Sequence, residues 1–373
     1  MVELLSGPYY STNRLGPQWC LVPWWLTFAM NLKVGYNIVQ FSGAGGSQAL
    51  EGGLRALITG ISGFVGSHLA EYLLEATEWE VAGTVFGPYG NIADLCGQLE
   101  LYPAELSRLD VVTFILEQAQ PDAIFHLAAQ PLVSTSRRDP WGTLETNIRM
   151  QLSILEGVAQ VLPDCRVLVV GSSEEYGQVS PEELPVDEDT PLRPMNPYAL
   201  SKVAQDLMGL QYHLAQQLHV VRVRPFNHIG PRQRLGFVAS DFASQIAAAE
   251  LGLQRPIMSV GNLDARRDFS DVRDVVQAYV ALITQGMPGQ VYNVGAGESH
   301  SVQEILDTLL GMSRVPIEVR PDPDRMRPSD TPDIVCDATR IRELCGWRAP
   351  ISLDQSLQDV LEYWRQEKAA TAQ

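Results

Sequence analysis

The stretch ITGISGFVGSHLAEYLL (58–74) restricts the fold most, because three glycines join a short apolar run to a segment with helical spacing. Gly60, Gly63 and Gly66 have the spacing GxxGxxG, which departs from GxGxxG. Glycines at a strand-to-helix turn let the backbone approach a pyrophosphate, which then sits on the helix N-terminus. A purely structural turn would use the same glycines, but the strand–turn–helix context favours dinucleotide binding.

The pattern after Leu54 alternates short β-rich runs with longer segments of helical period. Such alternation predicts a parallel sheet covered by helices on both faces. After about residue 230 the pattern loosens, with helices predicted at 238–251, 271–285, 301–312 and 353–367. We therefore predict an α/β fold: a doubly wound parallel sheet at 54–230, to which 257–297 contributes, and a smaller mixed α/β domain at 231–256 and 298–373.

Residues 1–53 differ from the rest of the chain. Only four of them are charged, three of the seven tryptophans fall here, and the tract ends in GAGGSQALEGG, a flexible-linker composition. One interpretation is an N-terminal arm packed on the domain. The other is that the start codon was assigned too far upstream, so that the tract is not native. Mass spectrometry of natively expressed protein would decide, since a mature N-terminus at Met1 contradicts the second interpretation.

Charge, hydropathy and cysteine spacing exclude several classes of protein. The net charge of −17 argues against nucleic-acid binding, which needs a basic face. No apolar run reaches the 18 or so residues that a membrane span requires. The five cysteines are widely spaced without a zinc pattern, so we expect no metal and reduced thiols in a cytoplasmic protein.

The heptapeptide NPYALSK (196–202) is the main candidate for chemistry. Tyr198 and Lys202 are four residues apart and therefore share one helix face, with Asn196 as N-cap and Pro197 in the first turn. Lys202 is also the only lysine between positions 33 and 368. We expect the ammonium to lower the phenol pKa and so make Tyr198 a general acid. The alternative, a surface Tyr–Lys pair, is common in helices.

The stretch GSSEEYG (171–177) follows a buried strand. Strand C-terminal ends face the ligand crevice of a doubly wound sheet. Ser172 and Ser173 are thus expected to hydrogen-bond a substrate oxygen, and Glu174 to act as a base or to orient hydroxyls. A polar loop with capping serines is the structural alternative.

Together these motifs resemble the extended short-chain dehydrogenase/reductase family, which has a Rossmann fold. The resemblance covers roughly 54–365 and includes HLAA (126–129) and AELSRLD (104–110), where Glu105 replaces the family's Asp. It implies that Ser172, Tyr198 and Lys202 are catalytic, with Glu174 beside them. The cofactor-binding residues implied by the resemblance are Gly60, Gly63, Phe64, Val65, Gly66, Glu105, Leu106, Leu127, Ala128, Ala129, Tyr198, Lys202, Pro225 and His228.

The end of the second predicted strand bears on the choice of cofactor. An acidic residue there would hold a ribose 2′-OH and favour NAD. The stretch VAGTVFGPYGN (81–91) has no acidic residue, and no arginine that would hold a 2′-phosphate. We expect NADPH, with NADH as the alternative.

The second half of the chain resembles the branch of the family that acts on GDP-sugars. The stretches RPFNHIGPRQRLGFVASDFASQI (224–246), VGNLDARRDFSDVRDVVQAY (260–279) and RMRPSDTP (325–332) are most similar to GDP-4-keto-6-deoxy-D-mannose reductases, which make GDP-D-rhamnose. The related GDP-mannose 4,6-dehydratases usually carry Thr-Ser-Glu at the serine loop. Ser172 takes the Thr position and Glu174 remains, which leaves dehydratase activity open. Another nucleotide-sugar epimerase or reductase is a further alternative, and a non-catalytic dinucleotide sensor is disfavoured by the intact Ser–Tyr–Lys set.

The expected substrate is a GDP-linked deoxy-keto sugar, whose diphosphate needs charge-assisted donors such as arginine forks. Arg267 and Arg327 are the first choices, with Arg266 and Arg232 weaker. The full set of predicted substrate-binding residues is Ser173, Asn227, Gly261, Asn262, Arg267, Arg327 and Asp330. The resemblance also implies a homodimer formed through helices that flank the nucleotide domain.

Overall fold

The computed structural model describes residues 53–322 and 332–372, so the predictions for the tract 1–53 lie outside the described residues except at Gly53. The strands are β1 Arg55–Thr59, β2 Glu80–Val85, β3 Glu100–Pro103, β4 Ala123–His126, β5 Arg166–Val170, β6 Val220–Pro225, β7 Asn227–Ile229, β8 Ile257–Val260, β9 Arg266–Asp271, β10 Val291–Val294, β11 Ser299–Ser301 and β12 Glu318–Pro321. The helices are α1 Phe64–Ala76, α2 Leu109–Ala119, α3 Val133–Arg138, α4 Pro140–Val161, α5 Pro197–Gln216, α6 Val238–Glu250, α7 Val272–Gln285, α8 Val302–Gly311, α9 Thr339–Cys345 and α10 Leu353–Thr371.

The main sheet has the order β3-β2-β1-β4-β5-β6-β10 in the described part of the chain. All neighbouring strands in it are parallel. The strand order reverses between β1 and β4, and in such sheets ligands bind in the crevice beyond the strand C-termini at that point. The predicted doubly wound sheet is therefore confirmed.

Helices cover both faces of this sheet, which explains why its central strands are apolar throughout. Neighbouring residues on β1 point to opposite faces: Ile58 packs in a core with Leu69 of α1 and Val275 of α7. Leu57 packs in the opposite core with residues of α2, α4 and β4. A strand buried on both faces has no solvent side, so it has no alternation of apolar and polar residues.

The smaller part of the chain is built around β7, β9 and β11, which form a three-stranded sheet, and β8 and β12, which form a two-stranded one. Helices α6, α8 and α10 enclose a third core that includes Phe242, Leu306 and Leu357. The four helices predicted after residue 230 are present as α6, α7, α8 and α10. Strand β10 returns to the main sheet, and the predicted division into domains remains a proposal.

Several short elements were not predicted from the sequence, among them β3, α3, α9, the strands after β6 and a 3₁₀ helix at Gly90–Gln98. Strand β3 has four residues and lies at the edge of the sheet, so it has too few buried positions to produce a clear pattern. No helix within 53–322 and 332–372 is long and apolar enough to cross a membrane.

Candidate active site

The glycine turn between β1 and α1 is packed so tightly that side chains would not fit. Gly60 has φ +69°, and a Cβ atom there would lie 3.1 Å from the Cα atom of Ala128. A Cβ atom on Gly66 would lie 2.5 Å from the carbonyl oxygen of Gly60. Helix α1 has Gly63 as its N-cap, no side-chain capping bond and no acidic residue in its first turn. Its first backbone N–H groups are thus available to an anion, as a dinucleotide pyrophosphate requires.

A cleft of about 1130 Å³ extends from this turn to the C-terminal ends of β5 and β6. This volume slightly exceeds that of a typical pocket for one small ligand, which suits a cofactor together with a substrate. The predicted residues that line it are Gly60, Gly63, Phe64, Val65, Gly66, Glu105, Leu106, Leu127, Ala128, Ala129, Ser172, Ser173, Glu174, Tyr198, Pro225, Asn227 and His228.

The end of β4 is fixed by a hydroxyl group from the neighbouring strand. Thr59 Oγ1 accepts hydrogen bonds from the N–H groups of Leu127 and Ala128, at 3.0 and 3.1 Å. The same hydroxyl lies 3.0 Å from Nδ1 of His126. Burial and the charge of Lys202 lower the pKa of His126 to about 3, so this ring is neutral. Sequence reasoning assigned no role to Thr59 or to His126, the first residue of HLAA, since their contact joins two strands distant in sequence.

Tyr198 and Lys202 are positioned by the start of α5. The Oδ1 atom of Asn196 accepts a hydrogen bond from the N–H of Ala199 at 2.8 Å, and Pro197 opens the helix, which confirms the predicted cap. Lys202 is buried, with its Nζ atom 5.9 Å from the centroid of the Tyr198 ring. The ammonium donates a hydrogen bond to the carbonyl oxygen of Val170 at 2.9 Å. The predicted pair therefore points inward and is not a surface pair.

The electrostatic environment of this pair differs from the expectation. Burial raises the pKa of Tyr198 above its usual value, the charges of Glu174 and Glu175 add to the rise, and a hydrogen bond with Ser172 opposes it. The prediction that Lys202 lowers this pKa is thus wrong here, because burial of the phenol dominates. Burial also lowers the pKa of Lys202 to about 8, while the charge of Glu175 opposes that change.

The turn at residues 172–175 after β5, called the serine turn, directs one of two adjacent glutamates into the cleft and the other into the core. Glu174 lines the cleft, and its Oε2 atom accepts a hydrogen bond from Nδ2 of Asn196 at 3.0 Å. Glu175 is fully buried, and its Oε1 atom accepts from the N–H of Ser172 at 2.8 Å. Ser172 Oγ accepts from the N–H of Glu174 at 3.2 Å, and the same hydroxyl hydrogen-bonds the phenol of Tyr198.

The segment that follows the serine turn is held by β10. Tyr176 donates its hydroxyl hydrogen to Oδ1 of Asn293 at 2.6 Å. The side-chain amide of Asn293 donates to the carbonyl oxygen of Val186 at 3.1 Å. The backbone N–H of Asn293 donates to Oε1 of Glu188 at 2.7 Å. One residue of the last sheet strand thus fixes three points of the segment between the serine turn and α5.

Some predicted substrate residues lie away from the cleft lining. Gly261, Asn262 and Arg267 are partly buried but are not among the residues that line it. Arg267 donates to the carbonyl oxygen of Arg266 at 2.7 Å. Arg327 and Asp330 are outside the described residues. The roles of these five residues remain predictions.

The two weaker arginine choices form ion pairs elsewhere. Arg266 pairs with Glu304 at 3.2 Å, and Arg232 pairs with Glu71 of α1 at 2.6 Å. Each guanidinium therefore already has a carboxylate partner within the fold.

Other cleft residues were missed from the sequence. Phe86, directly after β2, lines the cleft with 84% of its surface exposed. Arg234, in the loop after β7, also lines it, as does Arg149 of α4, which pairs with Glu145 at 3.1 Å. The position of Phe86 at a strand end was the one available signal. In the described part of the chain, no group of three or more His, Cys, Asp or Glu side chains could hold a metal ion.

A glycine turn at the switch point of a doubly wound sheet, with Ser172, Tyr198 and Lys202 around the same strand ends, defines an extended short-chain dehydrogenase/reductase. Comparison with known proteins identifies the family within this class. The family model described as GDP-mannose 4,6 dehydratase matches residues 57–360. The chain therefore belongs to the GDP-mannose 4,6 dehydratase family.

Relatives in this family include both reductases and dehydratases. The chain is 37% identical over 311 residues to GDP-6-deoxy-D-mannose reductase of Pseudomonas aeruginosa, covering 83% of this chain and 97% of that protein. It is 30% identical over 321 residues to GDP-mannose 4,6 dehydratase 1 of Arabidopsis thaliana, covering 80% of this chain and 86% of that one.

Solved structures show the same fold. The structure of RMD from Pseudomonas aeruginosa complexed with NADPH has a TM-score of 0.74 and 34% identity, covering 84% of this chain and 99% of that chain. The UDP-glucose 4-epimerase of Thermus thermophilus in complex with NAD has a TM-score of 0.74 and 28% identity, with 84% and 99% covered.

Proposed function

We propose that this protein reduces the C4 ketone of GDP-4-keto-6-deoxy-D-mannose to give GDP-D-rhamnose. The observation that supports this most is the continuous cleft that joins the glycine turn to Ser172 and Tyr198. The identity of 37% to a GDP-6-deoxy-D-mannose reductase, extending over almost all of that protein, supports the choice of substrate.

The cofactor is proposed to be NADPH, with NADH as the alternative. The residues present fit a dinucleotide, since Gly60 and Gly66 leave no room for side chains and the N-terminus of α1 has no side-chain cap. The strand end at Val85–Phe86 carries no carboxylate that would repel a 2′-phosphate. The relative whose structure contains NADPH supports the same choice. The bound cofactor supplies the hydride for the reduction.

The residues of this chain supply the proton and hold the charges. Tyr198 donates its phenol hydrogen to the oxygen at C4 as negative charge develops there. Ser172, whose hydroxyl lies within hydrogen-bond distance of the Tyr198 phenol, donates a hydrogen bond to the same oxygen when the substrate is bound. Lys202 lies beside the phenol, with its Nζ atom 5.9 Å from the ring centroid, and its ammonium holds the end of β5 through the carbonyl oxygen of Val170.

The protonation state of Tyr198 is compatible with the reduction. A reductase begins with a protonated phenol, whereas the first step of a 4,6-dehydratase is an oxidation that needs a base. Burial raises the pKa of Tyr198 above its usual value, so the phenol keeps its proton at neutral pH. Tyr198 can therefore act as the acid of the reduction.

Product analysis tests this proposal. Incubating GDP-4-keto-6-deoxy-D-mannose with the protein and NADPH should consume the sugar and NADPH in a 1:1 ratio. NMR of the product then determines whether the new C4 hydroxyl is axial or equatorial. The C4 configuration of rhamnose is expected. The C4 configuration of talose would show that the proposed product is wrong but the reduction is right. If NADPH is not consumed, the proposed function is contradicted.

The alternative is GDP-mannose 4,6-dehydratase activity, which the position of Glu174 keeps open. Its carboxylate lines the cleft and is oriented by Nδ2 of Asn196 at 3.0 Å, where a C5 proton could be abstracted. GDP-mannose alone, without added reductant, distinguishes the two. Formation of a 4-keto sugar at a rate similar to that of the reduction would favour the dehydratase.

We also propose that two copies associate through α5. Leu200, Leu207 and Leu214 are 48%, 50% and 65% exposed. They are spaced by seven residues, or about two helical turns, so they form one apolar stripe on α5. Leu207 and Leu214 also line a shallow groove on this helix. A helix pairing with its own copy would bury the stripe.

Leu207→Glu is expected to convert the dimer to monomer, because it would place two charges in an apolar interface. Analytical ultracentrifugation over a concentration series measures the change. Leu253→Glu is the matched control, since Leu253 is 52% exposed and lies after α6. A dimer that survives Leu207→Glu, or a wild-type monomer, would contradict the proposed interface.

A cytoplasmic location is proposed as well. Cys96, Cys165, Cys336 and Cys345 are unbridged, which agrees with a reducing compartment. Cell fractionation tests it, and recovery of the protein outside the cytoplasmic fraction would contradict it.

A further inference from the structure

Glu175 holds the strand end that carries Ser172. It is 0% exposed and ends the 3₁₀ turn Ser173–Glu175. Its Oε1 atom accepts the N–H of Ser172 at 2.8 Å. A Cβ atom on Gly171 would overlap with this same oxygen, so the carboxylate packs directly against the backbone. The orientation of Ser172 therefore depends on Glu175.

Lys202 holds the same strand end from the other side of Gly171. Its Nζ atom donates to the carbonyl oxygen of Val170 at 2.9 Å. The carboxylate of Glu175 and the ammonium of Lys202 thus bind the backbone groups of Ser172 and Val170, which flank one glycine. This brings an acidic and a basic side chain together at a point that solvent does not reach, since Lys202 is 5% exposed.

The other charged groups nearby are not balanced without Glu175, because one carboxylate, Asp206, faces two arginines. Asp206 of α5 pairs with Arg222 of β6 at 2.8 Å and with Arg224 at 2.6 Å. The Nε atom of Arg224 lies 3.3 Å from Oε2 of Glu175. With Lys202, these five groups comprise three positive and two negative charges when all are ionised.

The titratable groups around this cluster that are neutral cannot offset the positive charge of Lys202. His126 of β4 is neutral, because burial and the charge of Lys202 lower its pKa to about 3. Burial raises the pKa of Tyr176 and of Tyr198, so both phenols are neutral as well. Glu174 faces the cleft. Glu175 therefore acts on two cations: its Oε2 atom lies 3.3 Å from Arg224, and its charge opposes the lowering of the Lys202 pKa by burial.

We propose that Glu175 is a positioning residue for the reduction, which holds Ser172 in place through its Oε1 atom and keeps Lys202 charged beside Tyr198. The role in catalysis rests on the proposed function, but the effect on Lys202 does not. Glu175 touches neither substrate nor cofactor, because it is fully buried and is absent from the cleft lining.

The direction of the effect follows from the charges. Burial and the carboxylate of Asp206 raise the pKa of Glu175 to about 8, whereas Arg224 and the N–H of Ser172 oppose the rise, so Glu175 ionises in the same pH range in which Lys202 titrates. Once Glu175 has lost its proton, its negative charge stabilises the ammonium, so Lys202 stays charged to a higher pH. Without that carboxylate, burial alone acts on Lys202 and its pKa falls further.

Glu175→Gln removes the charge but keeps an oxygen that accepts from Ser172. NMR of protein labelled with ¹³Cε-lysine follows the titration directly, because the chain has three lysines and Lys202→Arg identifies the signal by its loss. In Glu175→Gln the pKa of Lys202 should fall by about 1 or more. An unchanged Lys202 titration curve would overturn the proposal.

Two further variants separate charge from packing. Glu250→Gln is the matched control, because the side chain of Glu250 is 5% exposed and pairs with Arg365 at 2.7 Å beside a different core, and it should leave Lys202 unchanged. Glu175→Asp keeps the charge but shortens the side chain, so it should retain most of the Lys202 pKa. If Glu175→Asp changes Lys202 as much as Glu175→Gln does, the proposed charge effect is wrong.

The wild-type titration serves if Glu175→Gln does not fold. The Lys202 signal should then move in two steps, because a neighbouring carboxyl titrates with it. A single step would count against the proposal.

The pH profile of kcat gives the kinetic readout. The alkaline limb should move to lower pH in Glu175→Gln, by the same amount as the Lys202 pKa. A purely structural role would lower kcat equally at all pH values and leave the limb in place. A Lys202 shift in a protein that does not reduce the keto-sugar would reject the proposed function only, while reduction without a Lys202 shift would reject only the role of Glu175.

Discussion

Tyr198→Phe is expected to lower kcat for keto-sugar reduction by about 10²–10⁴-fold, the usual contribution of a positioned general acid. The aromatic ring remains, so the packing at the start of α5 is kept and only the donated proton is lost. Binding of NADPH, measured by fluorescence, should change little. Stopped-flow single turnover at saturating NADPH isolates the chemical step from product release.

Tyr363→Phe is the control for this substitution, because Tyr363 stacks edge-on against Trp364 of α10 and does not line the cleft. The Tyr363→Phe variant should reduce the keto-sugar at the wild-type rate. Turnover that is unaltered in Tyr198→Phe would rule out Tyr198 as the proton donor and would redirect attention to Glu174.

Asp206→Ala should be the most destabilising single substitution in the charge cluster behind the site, at about 3–5 kcal/mol in the free energy of unfolding. Asp206 is 1% exposed and is paired with both Arg222 and Arg224. Removing it would leave two buried guanidinium groups without this partner. Urea denaturation followed by circular dichroism measures the loss.

Asp110→Ala provides the comparison, since Asp110 forms an exposed pair with Arg108 at 2.5 Å. An exposed pair contributes little to the free energy of unfolding, because water screens both charges. If the two substitutions cost the same, the cluster around Asp206 is more solvated than its burial implies.

The repeating part of the fold could be predicted from the sequence because each element carries its own pattern. The cap at Asn196, the glycine turn and the alternation of strands and helices are local features, and all are present. Strand β3 was missed, since an edge strand of four residues leaves little periodic signal.

The site was predictable only where a motif is local. Ser172, Tyr198 and Glu174 line the predicted cleft, whereas the adjacent Glu175 is buried. The sequence alone does not distinguish Glu174 from Glu175. Their separation depends on the 3₁₀ turn and on Arg224, which arrives from another strand. The raised pKa of Tyr198 was missed for the same reason, because burial is a property of the assembled fold and not of the helix alone.

The contacts of Asn293 have a consequence for protein synthesis. Tyr176, Val186 and Glu188 are synthesised long before Asn293. Asn293 forms hydrogen bonds with all three of these residues. The sheet can begin to form from its first strands, but the segment between the serine turn and α5 lacks its anchor until β10 emerges. The catalytic geometry is thus completed late during translation, after roughly four-fifths of the chain has been made.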